Sequence, residues 1–425
     1  YQDCLVQLRS PLNPRGLSSS NRLLWECFQY YSREIGAIDA LAGKGETLAA
    51  FLNETVARQL FFLLIALDDE LNAYTVFETL NARRMELTAT DLLKNFLFSK
   101  VEVPSDLEAL QRRWRSLIAT VSPERFPEFL RFHLLCECPR INPQRLFNLL
   151  RERIATARDV FALLGALESR SEFFAALSDP HHEYWLERPE CRPYIRELNL
   201  FQAPQLTPPL FAAWERFDRN NFMRVLKLAG IVAFRYTAVA GLNPNALEPV
   251  SHAAAKAILT GAATGPGAVF NCLRSIYVDD VKFVAVFSTL ELPTQGRKKK
   301  LAKYVLCRLE SDASGKDCDY ETDSASIEHI LPENPSSTWE DAIPVNRWDK
   351  LTYRLGNLTL LEARLNRDIG NDGYGEKLVK YSESNYALTK QVCEMAPEEW
   401  TEALINRRQH LLAERAAQLW RSDFV

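Results

Sequence analysis

Apolar residues recur along most of this chain three or four positions apart, the spacing of helices with one buried face. Leu, Phe and Trp at that spacing predict helices over 106–120, 145–155 and 157–167. A long helix is expected over 221–240, with Gly241 as its C-cap. Pro397 is expected to open a last helix with Trp400, Leu404, Leu411 and Leu419 on its buried side. Residues 60–67 form a continuous apolar run of strand length, read as a buried strand. A helix is expected after it, over 71–81. Pro204, Pro208 and Pro209 punctuate the middle and read as a junction. The small-residue stretch 261–267 lacks the Lys-Ser/Thr ending of a phosphate loop.

The pattern changes near the end of the chain. Ser326-Ile-Glu-His-Ile-Leu-Pro332 reads as a short strand with Ile327, Ile330 and Leu331 as its apolar members. Pro332 ends it, because a strand interior needs the backbone donor that Pro lacks. Leu355-Gly-Asn-Leu-Thr-Leu-Leu361 supplies a second strand over 357–361, and 362–371 starts a helix. Strand, long loop, strand and helix make a ββα unit, and along it run an acidic residue, His, Asn and a second Asn. That is the residue order of an HNH nuclease site.

Phosphodiester hydrolysis needs a base, charge stabilisation at the phosphate and help for the leaving oxygen. His329 suits the base, because imidazole titrates near neutrality. Asn357 is expected to hold that imidazole in its productive tautomer. Glu328 and Asn366 offer hard oxygen ligands that suit one Mg²⁺ or Mn²⁺ ion. Arg297, Lys298, Lys299 and Lys300, with Lys303, form the densest basic run. They read equally as contacts to DNA phosphates and as a solvated helix start.

The run from Ser326 to Thr389 resembles the C-terminal HNH domain of GmrSD-type modification-dependent restriction endonucleases. Ile-Glu-His-Ile-Leu-Pro, Leu-Gly-Asn-Leu-Thr-Leu-Leu, Asn366, Asn371, Lys377 and Tyr381-Ser382 carry the likeness. Glu328 stands where relatives often have Asp. Among these residues Lys377 is expected to reach phosphate or DNA. A second stretch, Val76 to Asn95, resembles the closing part of the family's nucleotide-binding domain, of ParB/sulfiredoxin-like fold. The resemblance implies nucleoside triphosphate binding in the full-length protein, with Asn81, Arg83, Asp91 and Lys94 as the matching residues. Arg84 replaces the usual Gly, and the Asp-Gly-Gln-Gln-Arg motif of that domain does not occur in this sequence. The chain is therefore read as a fragment.

Composition changes the picture little. At 425 residues with 47% hydrophobic content, the chain has room for two or three domains with real cores. The net charge of −4 supplies no global attraction to nucleic acid, so DNA contact must be local. Nine Cys show no paired zinc spacing, and no apolar stretch is long enough to span a bilayer. The expected class is α+β and predominantly helical, with the ββα-metal hairpin embedded in a helical domain. Domains are expected at 1–100, 101–205 and 206–425. The expected function is metal-dependent cleavage of DNA, including modified phage DNA, gated by nucleotide, in a cytoplasmic protein that leaves room for a homo-oligomer. The alternatives are a nucleotide-sensing or DNA-binding scaffold with a degenerate site, and an RNase or toxin-type nuclease.

Overall fold

The computed structural model describes residues 16–17, 19–38, 45–60, 89–139 and 143–425. Two compact units divide the chain, Tyr1–Glu86 and Leu87–Val425. The first carries α1 (Ser19–Gly36), α2 (Gly45–Ala50), a π-helical turn Phe51–Val56 and α3 (Ala57–Gln59). Of the run expected as a buried strand only Leu60 is described, and it is exposed. The helix expected over 71–81 lies outside the described residues.

The second unit is predominantly helical. It opens with α4 (Ala89–Ser99), α5 (Pro104–Val121), α6 (Phe126–Leu135), α7 (Pro143–Arg153) and α8 (Ala157–Leu177). The start of α8 is fixed by a capping box: Asp159 N–H donates to Thr156 Oγ1, and Thr156 N–H donates back to Asp159 Oδ2 at 2.9 Å. Next come α9 (Arg192–Phe201), α10 (Thr207–Arg216), α11 (Arg219–Ala233), α12 (Leu247–Leu259), α13 (Pro266–Leu273), α14 (Asp280–Phe287) and α15 (Gly296–Ser314). At the expected junction Pro204 opens a 3₁₀ turn, Pro204–Leu206, that leads straight into α10. Pro208 and Pro209 sit in the first turn of α10, where a missing backbone donor costs nothing, and both are buried. The helix expected over 221–240 is α-helical only to Ala233. A π-helical turn, Phe234–Val239, follows, and Gly241 then closes the segment at φ 57°.

That π-helical turn carries Arg235, which is fully buried. Its guanidinium donates to the carbonyls of Trp420 (2.6 Å), Ala417 (2.7 Å) and Val278 (2.8 Å), between the rings of Tyr277 and Phe283. The end of the chain is thereby tied to the middle of the helical unit.

The C-terminal part holds β1 (Ala325–His329), α16 (Trp348–Leu351), β2 (Leu358–Glu362), α17 (Ala363–Ile369), α18 (Tyr374–Glu383), α19 (Ala387–Met395) and α20 (Glu402–Leu419). β1 and β2 pair antiparallel, Glu328 opposite Thr359 and His329 opposite Leu358. Leu358, Thr359, Leu360 and Leu361 are all fully buried, because this small sheet is covered on both faces. Leu358 and Leu360 join the large helical core. Leu361 joins a second core with Ile330, Leu331, Trp339, Leu365, Tyr381 and Trp400. The hairpin thus separates two cores, which holds its register firmly.

The last helix differs from the expected one. It begins at Glu402 with Thr401 as N-cap, so Pro397 and Trp400 precede it. Its buried side is Ile405, Arg408, Gln409, Leu412, Ala413, Ala416 and Ala417, and Leu411 is exposed. Among the described residues no helix is long and apolar enough to cross a membrane.

Candidate active site around His329

β1 ends at His329, and Pro332 turns the chain away. Side chains alternate across a strand, so Glu328 and His329 leave β1 on opposite faces.

The His329 ring is 14% exposed and sits edge-on to Tyr353, centroids 5.7 Å apart. Its Nε2 is 3.1 Å from Thr294 Oγ1 and 3.7 Å from Glu333 Oε1. Thr294 donates to Glu333 Oε1 at 3.2 Å, and the Tyr353 hydroxyl donates to the same oxygen at 3.1 Å. Burial and the Glu333 carboxylate hold the Tyr353 phenol above its usual range. Burial also pushes the imidazole down to about 4, with Glu333 acting against that shift and the Lys377 ammonium adding to it. His329 is therefore neutral near pH 7, the form that accepts a proton.

Thr294 reaches this place through a distant pairing. Glu291 forms an antiparallel bridge with Arg354, and Leu292 N–H donates to the Tyr353 carbonyl at 2.8 Å. Gln409, on the buried face of α20, locks the same junction. Its Nε2 donates to the carbonyls of Phe287 and Leu290, and its Oε1 accepts from Arg354 Nε and Gly356 N. Arg408 donates to the carbonyls of Gly356 and Leu358. Gly356 is required here, since a Cβ would meet the Ile405 carbonyl oxygen well inside contact distance.

Glu328 faces the other way and is 3% exposed. Its Oε1 accepts from Lys377 Nζ at 2.6 Å and from the Tyr381 hydroxyl at 2.8 Å. Lys377 is fully buried and also donates to the His329 carbonyl at 2.7 Å. Burial pushes the Glu328 carboxyl up and the Lys377 ammonium down, and each charge partly restores the other.

Two expectations, for Asn357 and Lys377, need correction. Asn357 does not touch the imidazole. Its Oδ1 accepts from Leu331 N at 2.8 Å and Trp400 Nε1 at 3.0 Å, and its Nδ2 donates to the carbonyls of Leu331 and Thr352. Fully buried, it clamps the chain as it leaves β1, so it positions His329 through the backbone. Lys377 does not reach phosphate, because its charge is spent on Glu328 and a carbonyl inside the fold. The two residues expected to hold a cation each have protein partners, Glu328 through Oε1 and Asn366 through its amide nitrogen. The Glu328 carboxylate already carries a buried counter-charge. The Asn366 amide nitrogen donates to Ser326 Oγ at 2.9 Å and the Ile327 carbonyl at 3.2 Å, pinning α17 to β1. All four residues share one hairpin and its flanking helix, with Glu328 and His329 on opposite faces of β1.

The basic run divides. Lys298, Lys299 and Lys300 are exposed in the first turns of α15, beginning four residues after Thr294. Lys303 instead donates to the Asp323 carbonyl at 2.7 Å and braces the loop before β1. The side chain of Arg297 lies outside the described residues, as do Asn81 and Arg83. Asp91 and Lys94 lie on α4, where Asp91 is exposed and Lys94 sits 5.7 Å over the Phe98 ring.

Sequence reasoning missed Thr294, Glu333 and Tyr353. Only Glu333 carried a local signal, a carboxylate four residues after His329 and just beyond Pro332.

The class that the C-terminal part of this sequence resembles is that of restriction endonucleases. Residues 278–415, about a third of the chain, match the family model described as the C-terminal domain of GmrSD restriction endonucleases. Through this region the chain is similar to the GmrSD-type family. The matched stretch contains His329, Glu333, Asn357 and Asn366, together with Thr294 and most of α20. No curated protein matches the chain.

Proposed function

We propose that this chain is the cleaving part of a DNA endonuclease in which His329 is the general base of an HNH-type site. The observation that carries the reading is a neutral, partly open imidazole at the end of β1, inside the region matched to restriction endonucleases. In the step proposed, the imidazole takes a proton from water and the water oxygen bonds to phosphorus. The bridging P–O bond then breaks, and the leaving oxygen takes a proton from solvent. Modification dependence and gating by a nucleoside triphosphate belong to this reading through the family alone.

A second reading, a DNA-binding scaffold with a degenerate site, is favoured by one observation. The carboxylate to which the family likeness would give a metal is held by Lys377 and Tyr381. One assay separates the two. The full-length protein is incubated with modified and unmodified phage DNA, with Mg²⁺ or Mn²⁺ and with chelator, with and without nucleoside triphosphate. Cleavage that falls about 10²-fold or more in His329→Ala, with DNA affinity retained, supports the first reading. Wild-type cleavage by His329→Ala sinks it, and DNA binding without any cleavage supports the second. Loss of cleavage in chelator would support a bound metal, for which Glu328 and Asn366 supply oxygen ligands on the hairpin and its flanking helix.

A further inference from the structure

We infer that Thr294 and Glu333 form a relay that fixes His329 as the Nε2–H tautomer, leaving Nδ1 as the ring nitrogen that accepts the proton. The catalytic role of Nδ1 rests on the reading of His329 as the base. The tautomer itself rests on geometry alone.

The argument is a count of protons. A threonine hydroxyl has one hydrogen to donate and lone pairs to accept with, whereas a carboxylate only accepts. Between Thr294 Oγ1 and Glu333 Oε1, at 3.2 Å, the hydrogen must therefore come from Thr294. Tyr353 donates to the same carboxylate oxygen at 3.1 Å, so Glu333 holds its place without help from the ring. With its hydrogen spent, Thr294 Oγ1 can only accept from the imidazole 3.1 Å away. Nε2 must then carry the hydrogen, and a neutral ring with Nε2–H has its lone pair on Nδ1. Among the described residues no hydrogen bond is made to Nδ1. This is the positioning work that the sequence had suggested for Asn357, done instead by residues from the 290–294 segment and the turn after Pro332.

Thr294, Tyr353 and the His329–Glu333 turn come from separate stretches of chain, so the arrangement is not a by-product of one turn. Glu333 is 38% exposed on its side chain and Thr294 is part-buried, which means either can be replaced without opening a core. Neither is a catalytic residue in this account, since both act through the ring.

The test reads the ring directly. The full chain is labelled with ¹⁵N-histidine, and the His329 signals are assigned by their loss in His329→Gln. At neutral pH the wild-type protein should show one tautomer, with Nε2 protonated and Nδ1 not. Glu333→Ala frees the Thr294 hydrogen to turn towards Nε2, and Thr294→Val removes the acceptor, so both should give a mixture of tautomers. Thr294→Ser keeps the hydroxyl and should restore the single wild-type state. In the DNA cleavage assay, Glu333→Ala and Thr294→Val should lower the rate about 10-fold, part of the roughly 10²-fold or more that a positioned general base contributes, and Thr294→Ser should not. An Nδ1–H ring in the wild type, or an unchanged single tautomer in both Glu333→Ala and Thr294→Val, overturns the inference even if cleavage is robust. Absence of cleavage by the wild type overturns the proposed function and the role of Nδ1 but leaves the tautomer to the spectra.

Discussion

At the scale of single residues, the pair Glu328 and Lys377 decides how the hairpin is held. Two opposite charges are buried at 2.6 Å, and Tyr381 supplies a further donor. Such a pair adds little net stability, since desolvation offsets most of the attraction. Removing one partner is another matter, because an uncompensated charge stays inside. Lys377→Met should therefore cost about 3–5 kcal/mol in urea unfolding. Adding Glu328→Gln to it should recover much of that loss, since a neutral amide replaces the stranded carboxylate. A single variant within about 0.5 kcal/mol of wild type would show that the carboxylate finds another partner or water. The residues of this site were legible as a group, because His329, Asn357 and Asn366 stand out by type and order. Their roles were not. A side chain's task depends on which atoms surround it, and Asn357 is surrounded by backbone from Leu331 and Thr352 and by the Trp400 indole. Lys377 was likewise assigned by type to phosphate, and burial gave it to Glu328.

At the scale of elements, apolar spacing located α5, α7, β1 and β2 well and the start of α8, which runs ten residues past the expected end. It failed where polar side chains fill the buried positions. The inner face of α20 includes Arg408 and Gln409, so a search for leucines chose Leu411, which is exposed. The π-helical turn after α11 was hidden for a related reason, since it carries Arg235, a charged residue placed at the centre of the fold. Another polar junction joins α6, α8 and α10. Arg170 on α8 makes a two-pronged ion pair with Glu215 on α10, and its Nη1 lies 3.2 Å from His133 Nδ1 on α6. Burial first, then the charges of Arg170 and Arg153, push His133 down to about 3. The folded state holds this imidazole neutral, whereas the unfolded chain protonates it near 6.5. Its contribution to stability is complete above pH 6.5 and is lost as the pH falls from there towards about 3. The loss is about 1.4 kcal/mol per pH unit. Melting temperatures from pH 7 to pH 4 should thus fall less steeply in His133→Gln, which has no proton to gain. Parallel curves for the two proteins would show that His133 is not held neutral.

At the scale of the whole molecule, charge and the proposed function pull in different directions. A net charge of −4 repels nucleic acid at long range, so any binding must come from a local surface that outweighs it. Lys298, Lys299 and Lys300 are exposed at the start of α15, and Thr294, just before that helix, touches the His329 ring. Four to six residues of chain span at most about 14–22 Å, so these lysines stand within a few phosphates of any bond cut at His329. They are also uncoupled from the core, unlike Lys303 and Lys377, whose ammonium groups are turned inward. If DNA crosses the site, each phosphate they neutralise releases a counterion and adds about 0.9 to the slope of log affinity against log salt on duplex DNA. Replacing all three by Ala should lower that slope by up to about 2.7 and weaken binding alike on every sequence, with melting temperature unchanged. Fluorescence anisotropy of labelled duplex over a series of salt concentrations measures it. An unchanged slope would mean that DNA approaches His329 from another side, and the start of α15 would then be a solvated helix end and nothing more.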